Sequence, residues 1–234
     1  MQAIVLAGGL GTRLRSVVNQ HPKTLAPIAG KPFLYWLILY LQKKGVTDFI
    51  FSLGYLHEQV EQFLADEFLK LSYVSVIENE PLGTGGAIKL CLPFCKNNDI
   101  LLVNGDTFFD LQLLNFYNNF ITTQSDCCIA LTPMHHFDRY GSVTLTPDNI
   151  ITEFNDKKYC ESGFINTGLV LFKKSVFETK TKLLGEKFSF EKHFIEPNIS
   201  TLKVTGYIAT GYFIDIGIPE DYKKAQTEIT QLII

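Results

Sequence analysis

The chain has 234 residues, of which 46% are hydrophobic and 13% aromatic, and its formal net charge at pH 7 is −3. This composition favours one compact globular domain with a sizeable core and excludes a largely disordered chain. A net charge this small gives no reason to expect a nucleic-acid partner or an anionic membrane surface, so any anionic ligand must depend on locally placed Arg, Lys and backbone N–H groups.

The N-terminal segment and the cysteines bear on the cellular setting. MQAIVLAGG has neither a basic start nor a long apolar run, and no stretch reaches the roughly 18 apolar residues of a membrane span. These features predict a cytoplasmic protein that has no membrane partner. The odd count of cysteines argues against a disulfide framework, and we interpret them as buried thiols rather than metal ligands. They are Cys91, Cys95, Cys127, Cys128 and Cys160.

Strands and helices alternate along the first half of the chain. Continuous apolar runs predict buried strands, and apolar residues spaced three and four apart predict amphipathic helices. Pro32 and Gly45 are expected to bound the first helix, because Pro suits a first helical turn and Gly ends helices. Strands are predicted at 3–7, 48–53, 72–77 and 99–104, and helices at 31–45, 56–68 and 85–92.

The second half is predicted to contain more strands, with few helices between them. A last helix is expected to begin near Pro219 and to run to the C-terminus. The alternation in the first half implies an α/β fold with a doubly wound, mostly parallel, Rossmann-like sheet and helices on both faces. The second half should add a mixed or antiparallel extension within the same domain. Its strands are predicted at 127–133, 141–147, 150–154 and 163–172.

A glycine-rich segment, LAGGLGTRL, follows the first predicted strand. Glycines let a backbone approach a ligand closely, and successive N–H groups can bind phosphate oxygens. A P-loop needs Lys-Ser or Lys-Thr after its last glycine, whereas Thr12 and Arg13 follow Gly11 here. The dinucleotide-binding pattern needs a third glycine, where this chain has Leu14, and an acid after the second strand. Both patterns fail.

Two cations remain beside the glycine turn. Arg13 lies within it, and Lys23 follows in HPKTLAPIAGKP. Arg offers a planar fork for phosphate, and Lys a compact point charge. The pair suits a triphosphate, and the alternative is a tight turn with two solvated side chains.

Further candidates follow other strands of the predicted sheet. In a doubly wound sheet, ligands bind outside the carboxyl ends of the strands. The segment 78–86, ENEPLGTGG, offers glycine surface for a flat base and an early carboxylate, Glu78. Asp106 and Asp215 are predicted to bind Mg²⁺, which is usually held by one or two carboxylates plus substrate oxygens. Asp110 could compete with Asp215, but we interpret it as the cap of the next helix.

Together these motifs resemble the sugar-1-phosphate nucleotidyltransferases, the pyrophosphorylases that make nucleotide sugars. The resemblance runs from Ala3 to about Ala225. Its signature is LAGGLGTRLRSVVNQHPKTLAPIAGKP, and ENEPLGTGGAI, VNGDTFFD, FNDK, FINTG, FSFE and YFIDIGIPEDY follow in the family's order. We accordingly expect a nucleotide-binding half at 1–125 and a sugar-phosphate-binding half at 126–234.

The resemblance also implies roles for individual residues. Arg13 would hold the leaving phosphates and Lys23 the reacting ones. Lys157 would meet the sugar phosphate, and Asp156 stands where the family commonly has Glu, which would shorten a sugar contact. The residues expected to bind the nucleotide are Leu6, Ala7, Gly8, Gly9, Gly11, Thr12, Glu78, Gly83 and Thr84. Those expected to bind the sugar phosphate are Gly141, Asp156, Lys157, Asn166 and Glu191.

The implied reaction is an in-line attack of a sugar-phosphate oxygen on the α-phosphorus of a nucleoside triphosphate, with pyrophosphate leaving. Positioning and charge neutralisation would carry the catalysis, so we interpret His135 and His136 as a loop feature. Guanine presents two donors on one edge, N1–H and the 2-amino group, and the ionised carboxylate of Glu78 could accept both. GTP is therefore the favoured nucleotide, and a solvated loop glutamate is the alternative.

The sequence leaves the sugar and two other classes of protein open. Within the family, ENEPLGTGGAI and FINTGLVLF look closest to heptose 1-phosphate guanylyltransferases, with mannose 1-phosphate next and uridylyl-, thymidylyl- or cytidylyltransferases as alternatives. A non-catalytic regulatory protein that binds sugar nucleotides should have lost a cationic residue that binds phosphate or an acidic residue that binds the metal. A glycosyltransferase would not need the Arg13 and Lys23 loop. The 19 Phe and 10 Tyr lead us to expect a homodimer.

Overall fold

A computed structural model describes residues 1–9 and 21–233. Of the helices in these ranges, none combines the length and the apolar character needed to cross a lipid bilayer. The helices are α1 (Phe33–Lys43), α2 (His57–Glu67), α3 (Gly83–Cys91), α4 (Leu113–Thr122), α5 (Lys174–Thr181) and α6 (Pro219–Ile233). The strands are β1 (Gln2–Leu6), β2 (Pro27–Ile28), β3 (Lys31–Pro32), β4 (Asp48–Leu53), β5 (Ser72–Ile77), β6 (Asp99–Asn104), β7 (Thr107–Phe109), β8 (Cys127–Phe137), β9 (Ser142–Leu145), β10 (Ile151–Phe154), β11 (Cys160–Lys173), β12 (Val204–Ile208) and β13 (Phe213–Asp215).

Within the described ranges, one sheet of nine strands organises the chain. Its order is β10, β9, β11, β6, β1, β4 and β5, with β8 pairing to β11 and β12 pairing to β8. The strands β6, β1, β4 and β5 are parallel, whereas β11 runs antiparallel to β6, β8 and β9. The chain winds outward from β1 to β4 and β5, then crosses over to β6 on the other side of β1. The predicted doubly wound sheet with a mixed extension is therefore confirmed.

Alternate residues of the central strands enter two cores on opposite faces of this sheet. Val5 and Phe51 lie in the core that packs against α1, α2, α4 and α6. Ile4 and Ile50 lie in the other core, with α3 and α5. Because successive strand side chains point to opposite faces, a strand covered on both faces is apolar along most of its length, as Asp48–Leu53 is. The prediction of helices on both faces is confirmed.

The boundaries of several elements follow the sequence signals. The predicted strands at 48–53, 72–77 and 99–104 coincide with β4, β5 and β6. Helix α1 ends at Lys43, and Gly45 follows with a φ of +94°, a left-handed conformation that glycine adopts without steric cost. The last helix begins at Pro219.

The two adjacent histidines are an exception. Strand β8 continues to Phe137, and His135 pairs in register with Ser162 of β11. The interpretation of His135 and His136 as a loop feature is therefore wrong. The long strand β11 pairs with the polar end of β8. This pairing, rather than the local composition, determines where β8 ends.

Four of the five cysteines are buried, as predicted. Burial raises the pKa of the Cys91 thiol to about 12 and that of Cys95 to about 11. Since the thiolate is the reactive form, these side chains behave as small apolar groups at neutral pH. Cys160 is only half-buried, so the interpretation as a buried thiol is wrong for this residue, whose thiol donates to the Ser162 carbonyl oxygen at 3.2 Å.

Candidate active site

A cleft of about 570 Å³ lies at the carboxyl ends of the parallel strands. Leu6 ends β1 and Asp106 follows β6, the two strands between which the winding of the sheet reverses. Ligands of doubly wound sheets bind at this reversal. The predicted site residues that line the cleft are Leu6, Gly8, Gly9, Lys23, Glu78, Gly83, Thr84, Asp106 and Asp215.

Other predicted nucleotide-binding residues lie elsewhere. Ala7 is buried just after β1, and its N–H donates to the Ser52 carbonyl oxygen at 2.8 Å. Gly11, Thr12 and Arg13 fall outside the described residues, so their roles stay predictions. The cleft is also lined by residues that the sequence did not suggest, namely Thr24, Pro81, Ala87, Asn104, Gly217 and Ile218.

One ammonium and two carboxylates converge in the cleft. Lys23 Nζ donates to Asp106 Oδ2 at 2.6 Å and to Asp215 Oδ1 at 3.2 Å. Backbone pairing brings these distant acids together, because β7 and β13 run antiparallel with Asp215 opposite Thr107. The N–H of Ile216 also donates to the Asp106 carbonyl oxygen at 3.1 Å. The positions of both acids are therefore set by the backbone.

Gly217 makes room for this cluster. A Cβ at this position would lie 2.6 Å from Lys23 Nζ and 2.8 Å from Asp215 Oδ1. The N–H of Gly217 donates to the same Asp215 oxygen at 2.7 Å. A hydrogen bond to an ionised acceptor is short and strong, so Gly217 orients the carboxylate as well as admitting the ammonium. The pattern Asp-x-Gly at 215–217 is the signal that could have identified it.

The two acids fit a divalent cation. Both carboxylates lie within hydrogen-bond distance of one positively charged atom, so the Lys23 ammonium marks a point that Asp106 and Asp215 stabilise together. Mg²⁺ is commonly held by one or two carboxylates together with substrate phosphates. Residues 1–9 and 21–233 contain no grouping of three or more His, Cys, Asp or Glu side chains suited to a metal. This pair would supply two protein ligands.

Glu78 is held in a fixed orientation beside Gly8. The Ser52 hydroxyl donates to Glu78 Oε1 at 3.0 Å, and the Leu82 N–H donates to Oε2 at 3.1 Å. A Cβ added to Gly8 would lie 3.1 Å from Glu78 Oε1. Each carboxylate oxygen can accept two hydrogen bonds, so both retain capacity toward a ligand in the cleft.

The glycines at the start of α3 have a packing role as well. Gly83 has a φ of +72°, and its Cβ would lie 2.8 Å from the Phe188 carbonyl oxygen. The Gly85 N–H donates to that oxygen at 2.9 Å, and Thr84 Oγ1 accepts from the Phe190 N–H at 2.9 Å. The backbone of 188–190 thus holds this end of α3 in the cleft wall. The predicted glycine surface exists at Gly83, whereas Gly85 is required by the Phe188 ring.

The residues predicted to bind the sugar phosphate are not among those lining the cleft. Asn166 Nδ2 donates to Glu191 Oε1 at 2.7 Å, and Asn166 Oδ1 accepts from the Gly168 N–H at 2.9 Å. These two bonds fix the amide and join two of the predicted residues. Asp156 and Lys157 are exposed in the turn between β10 and β11. The structure thus brings Asn166 to Glu191, whereas Asp156 and Lys157 lie apart in an exposed turn.

The turn before β9 packs on the strand that carries the second acid. The ring of Tyr140 meets that of Phe213 edge-on, with 5.8 Å between the ring centroids. Burial, and next the negative charge of Asp215, raise the pKa of Tyr140. Gly141, a predicted sugar-phosphate residue, follows Tyr140 directly. Tyr140 is near the acids although the sequence did not single it out.

The interpretation of Asp110 as a helix cap is wrong. Helix α4 begins at Leu113 after Gln112, and no side chain caps it. The Tyr40 hydroxyl donates to Asp110 Oδ1 at 3.2 Å, and Lys44 Nζ lies 3.1 Å from the same oxygen. The Asp110 carboxylate is therefore bound by Tyr40 of α1 and by Lys44, the residue after α1, instead of capping α4.

Known proteins share the sequence pattern and the fold of this chain. The sequence model of the family described as Nucleotidyl transferase matches residues 2–232. The chain belongs to this nucleotidyl transferase family. It is 44% identical, over the full length of both chains, to the D-glycero-alpha-D-manno-heptose 1-phosphate guanylyltransferase of Aneurinibacillus thermoaerophilus. It is 46% identical to the Campylobacter jejuni protein of the same name, over 95% of this chain and 97% of that protein.

A solved structure has the same fold. HddC from Yersinia pseudotuberculosis superposes with a TM-score of 0.88 at 37% sequence identity, over 99% of each chain. Its complex with GMP-PN gives a TM-score of 0.86 at 38% identity, over 96% of this chain and 97% of that one. The family and the fold implied by the sequence motifs are therefore confirmed.

Proposed function

We propose that this enzyme joins a D-glycero-D-manno-heptose 1-phosphate to GTP, forming a nucleotide sugar and releasing pyrophosphate. The observation that carries the proposal is the convergence of Lys23, Asp106 and Asp215 in the cleft at the carboxyl ends of β1 and β6. The choice of heptose and guanine is supported by full-length relatives that are named for this activity, at 44% and 46% identity.

Charge and position, rather than a protein nucleophile, would drive the reaction. In-line displacement at phosphorus leaves little covalent chemistry to the protein. Lys23, whose side chain is 13% exposed, would place its ammonium against the reacting phosphate in a setting where charge is weakly screened. Arg13 would hold the leaving pyrophosphate. Asp106 and Asp215 would hold Mg²⁺, which when bound supplies positive charge to the phosphate oxygens.

Glu78 would read the base. Its two oxygens are already oriented by Ser52 and Leu82, so little side-chain freedom is lost when guanine binds. The N1–H and 2-amino donors of guanine would meet the remaining acceptor positions. A base that presents a carbonyl on this edge would face the carboxylate and be rejected. The GMP-PN complex of the Yersinia relative supports a guanine nucleotide.

The second half of the chain would bind the sugar phosphate. Asn166 and Glu191, already joined at 2.7 Å, would contact sugar hydroxyls, and Lys157 the phosphate. Asp156 and Gly141 complete this set. We retain the division into a nucleotide-binding half at 1–125 and a sugar-phosphate-binding half at 126–234, with Asp215 contributed by the second half to the metal pair.

The enzyme would act in the cytoplasm, where GTP is present, and supply an activated sugar for surface polysaccharides. A homodimer stays a prediction, which light scattering on the purified protein would test. Several large apolar side chains are exposed on the single chain, Leu69 and Leu183 most of all.

Pyrophosphate release measures the proposed reaction. The purified protein is given GTP, UTP, dTTP or CTP, each with Mg²⁺ and either heptose 1-phosphate or mannose 1-phosphate. We expect release with GTP and heptose 1-phosphate, and its loss in Asp106→Ala and Lys23→Ala. Turnover with the other triphosphates but not with GTP would overturn the assignment of guanine. Faster turnover with mannose 1-phosphate would overturn the assignment of heptose. Normal turnover in both variants would overturn the proposed active site.

A further inference from the structure

We infer that Lys23 regulates the metal site: its ammonium stands between Asp106 and Asp215 before substrate arrives, and moves to the nucleotide phosphates when the metal enters. The exchange makes metal and nucleotide bind cooperatively. This inference rests on the proposed function in one respect, that the cleft takes a metal with a nucleoside triphosphate.

The ammonium and a metal compete for the same carboxylate oxygens. Lys23 Nζ is 2.6 Å from Asp106 Oδ2 and 3.2 Å from Asp215 Oδ1. Mg²⁺ binds oxygen at about 2.1 Å, so a metal on these two oxygens would lie within about 5 Å of the ammonium. Like charges at that distance in a half-buried cleft repel strongly. The ammonium must therefore leave when the metal binds.

Only the side chain of Lys23 can move easily. Its backbone lies in a tight turn, in which the Leu25 N–H donates to the Pro22 carbonyl oxygen at 2.8 Å and the Ala26 N–H to that of Lys23 at 3.1 Å. On one side, Gly217 leaves space for the ammonium without room for a methyl group. The open direction is the cleft, which Gly8 also lines.

The movement of the ammonium couples the affinity for the metal to the affinity for the nucleotide. A metal that enters alone releases the Lys23 ammonium from two carboxylates into water. When a metal enters with a triphosphate, the ammonium can bind a phosphate oxygen instead. This new ion pair replaces the two that are lost. Each ligand therefore strengthens the binding of the other, and the coupling is reciprocal. Before substrate arrives, the ammonium also neutralises two acids that would otherwise repel each other.

Manganese binding without any nucleotide tests this inference, because Mn²⁺ takes similar oxygen ligands and its free form is measured by electron paramagnetic resonance. We expect Lys23→Met and Lys23→Gln, each lacking the charge, to bind Mn²⁺ at least tenfold more tightly than the natural protein. Lys23→Arg, which keeps the charge, should stay weak. The matched control is Lys31→Met, since Lys31 is paired with the remote Glu67 and should leave Mn²⁺ affinity unchanged.

A second arm adds a non-hydrolysable GTP analogue. It should tighten Mn²⁺ binding in the natural protein by a larger factor than in Lys23→Met. Equal or weaker Mn²⁺ binding by folded Lys23→Met and Lys23→Gln, compared with the natural protein, would overturn the inference. The first arm contains no nucleotide or sugar, so a wrong choice of base or sugar leaves its result intact. If the natural protein releases pyrophosphate from GTP but the variants bind Mn²⁺ no more tightly than it does, this inference is refuted and the proposed function is not.

Discussion

Replacing Gly217 with alanine adds one methyl group beside the charged cluster. The new Cβ would lie 2.6 Å from Lys23 Nζ and 2.8 Å from Asp215 Oδ1. Ordinary van der Waals contact requires about 3.5 Å, so the ammonium or the carboxylate must retreat by roughly 0.8 Å. The backbone of Gly217 is outside the left-handed region, since no positive φ is found there. The methyl group is therefore the only perturbation.

The cost should fall on catalysis rather than on folding. The displaced ammonium is the end of a flexible side chain, so the free energy of unfolding should change by less than about 1 kcal/mol. A misplacement of about 1 Å in a catalytic constellation can reduce the rate by about 100-fold. We expect kcat/KM to fall by a factor of about 10 to 100, equivalent to about 1.4 to 2.7 kcal/mol of transition-state stabilisation.

Pyrophosphate release and a thermal melt measure both quantities on the same preparation. The matched control is Gly185→Ala, at an exposed glycine around which an added Cβ meets nothing within 4 Å. The control should keep kcat/KM and Tm. Unchanged kcat/KM in Gly217→Ala, or an equal fall in the control, would refute the reasoning that Gly217 positions the cluster.

Four further predictions follow from particular contacts and from the burial of the thiols. Gly83→Ala forces a side chain into a φ of +72° and against the Phe188 carbonyl oxygen, so it should lower stability by about 1–3 kcal/mol and the Tm by several degrees; an unchanged Tm would contradict this. Glu78→Gln keeps only one acceptor atom, so the preference for GTP over ITP, which lacks the 2-amino group, should fall about tenfold in kcat/KM; an unchanged ratio would remove Glu78 from base recognition. Of the thiols, Cys160 should react fastest with a disulfide reagent at pH 8, because burial raises the pKa of the four others above 9. For the same reason the free energy of unfolding should fall as the pH rises above 9, where the unfolded chain gains thiolates that the folded one resists; constant stability between pH 8.5 and 10 would contradict the pKa direction.

Much of the parallel sheet could be predicted, because buried strands have a strong signature. The runs DFIFSL and DILLVN are apolar on both faces, since helices cover both sides of the sheet, and their boundaries agree with β4 and β6. In the second half of the chain, the predicted strand boundaries agree less well with the structure. Strand β8 extends to Phe137 because β11 offers backbone partners, and pairing between distant segments leaves no mark on local composition.

The sequence predicts that Lys23, Asp106 and Asp215 gather at one edge of the sheet, but not how they contact one another. Asp106 and Asp215 each follow or end a predicted apolar run, and Lys23 follows the glycine-rich loop. That one ammonium bridges both acids depends on the pairing of β7 with β13, which no spacing in the sequence reveals. The sequence misleads at Asp110 for the same reason, because its cation, Lys44, is distant along the chain and comes close only in the fold.

The most direct test of the proposed reaction is phosphorus NMR of the purified protein with heptose 1-phosphate, GTP and Mg²⁺. We expect the signals of both substrates to decline together while those of pyrophosphate and of a nucleotide sugar, with its two coupled phosphates, grow in equal amounts. Formation of that product from UTP, dTTP or CTP but not from GTP, or no product from any triphosphate, would contradict it.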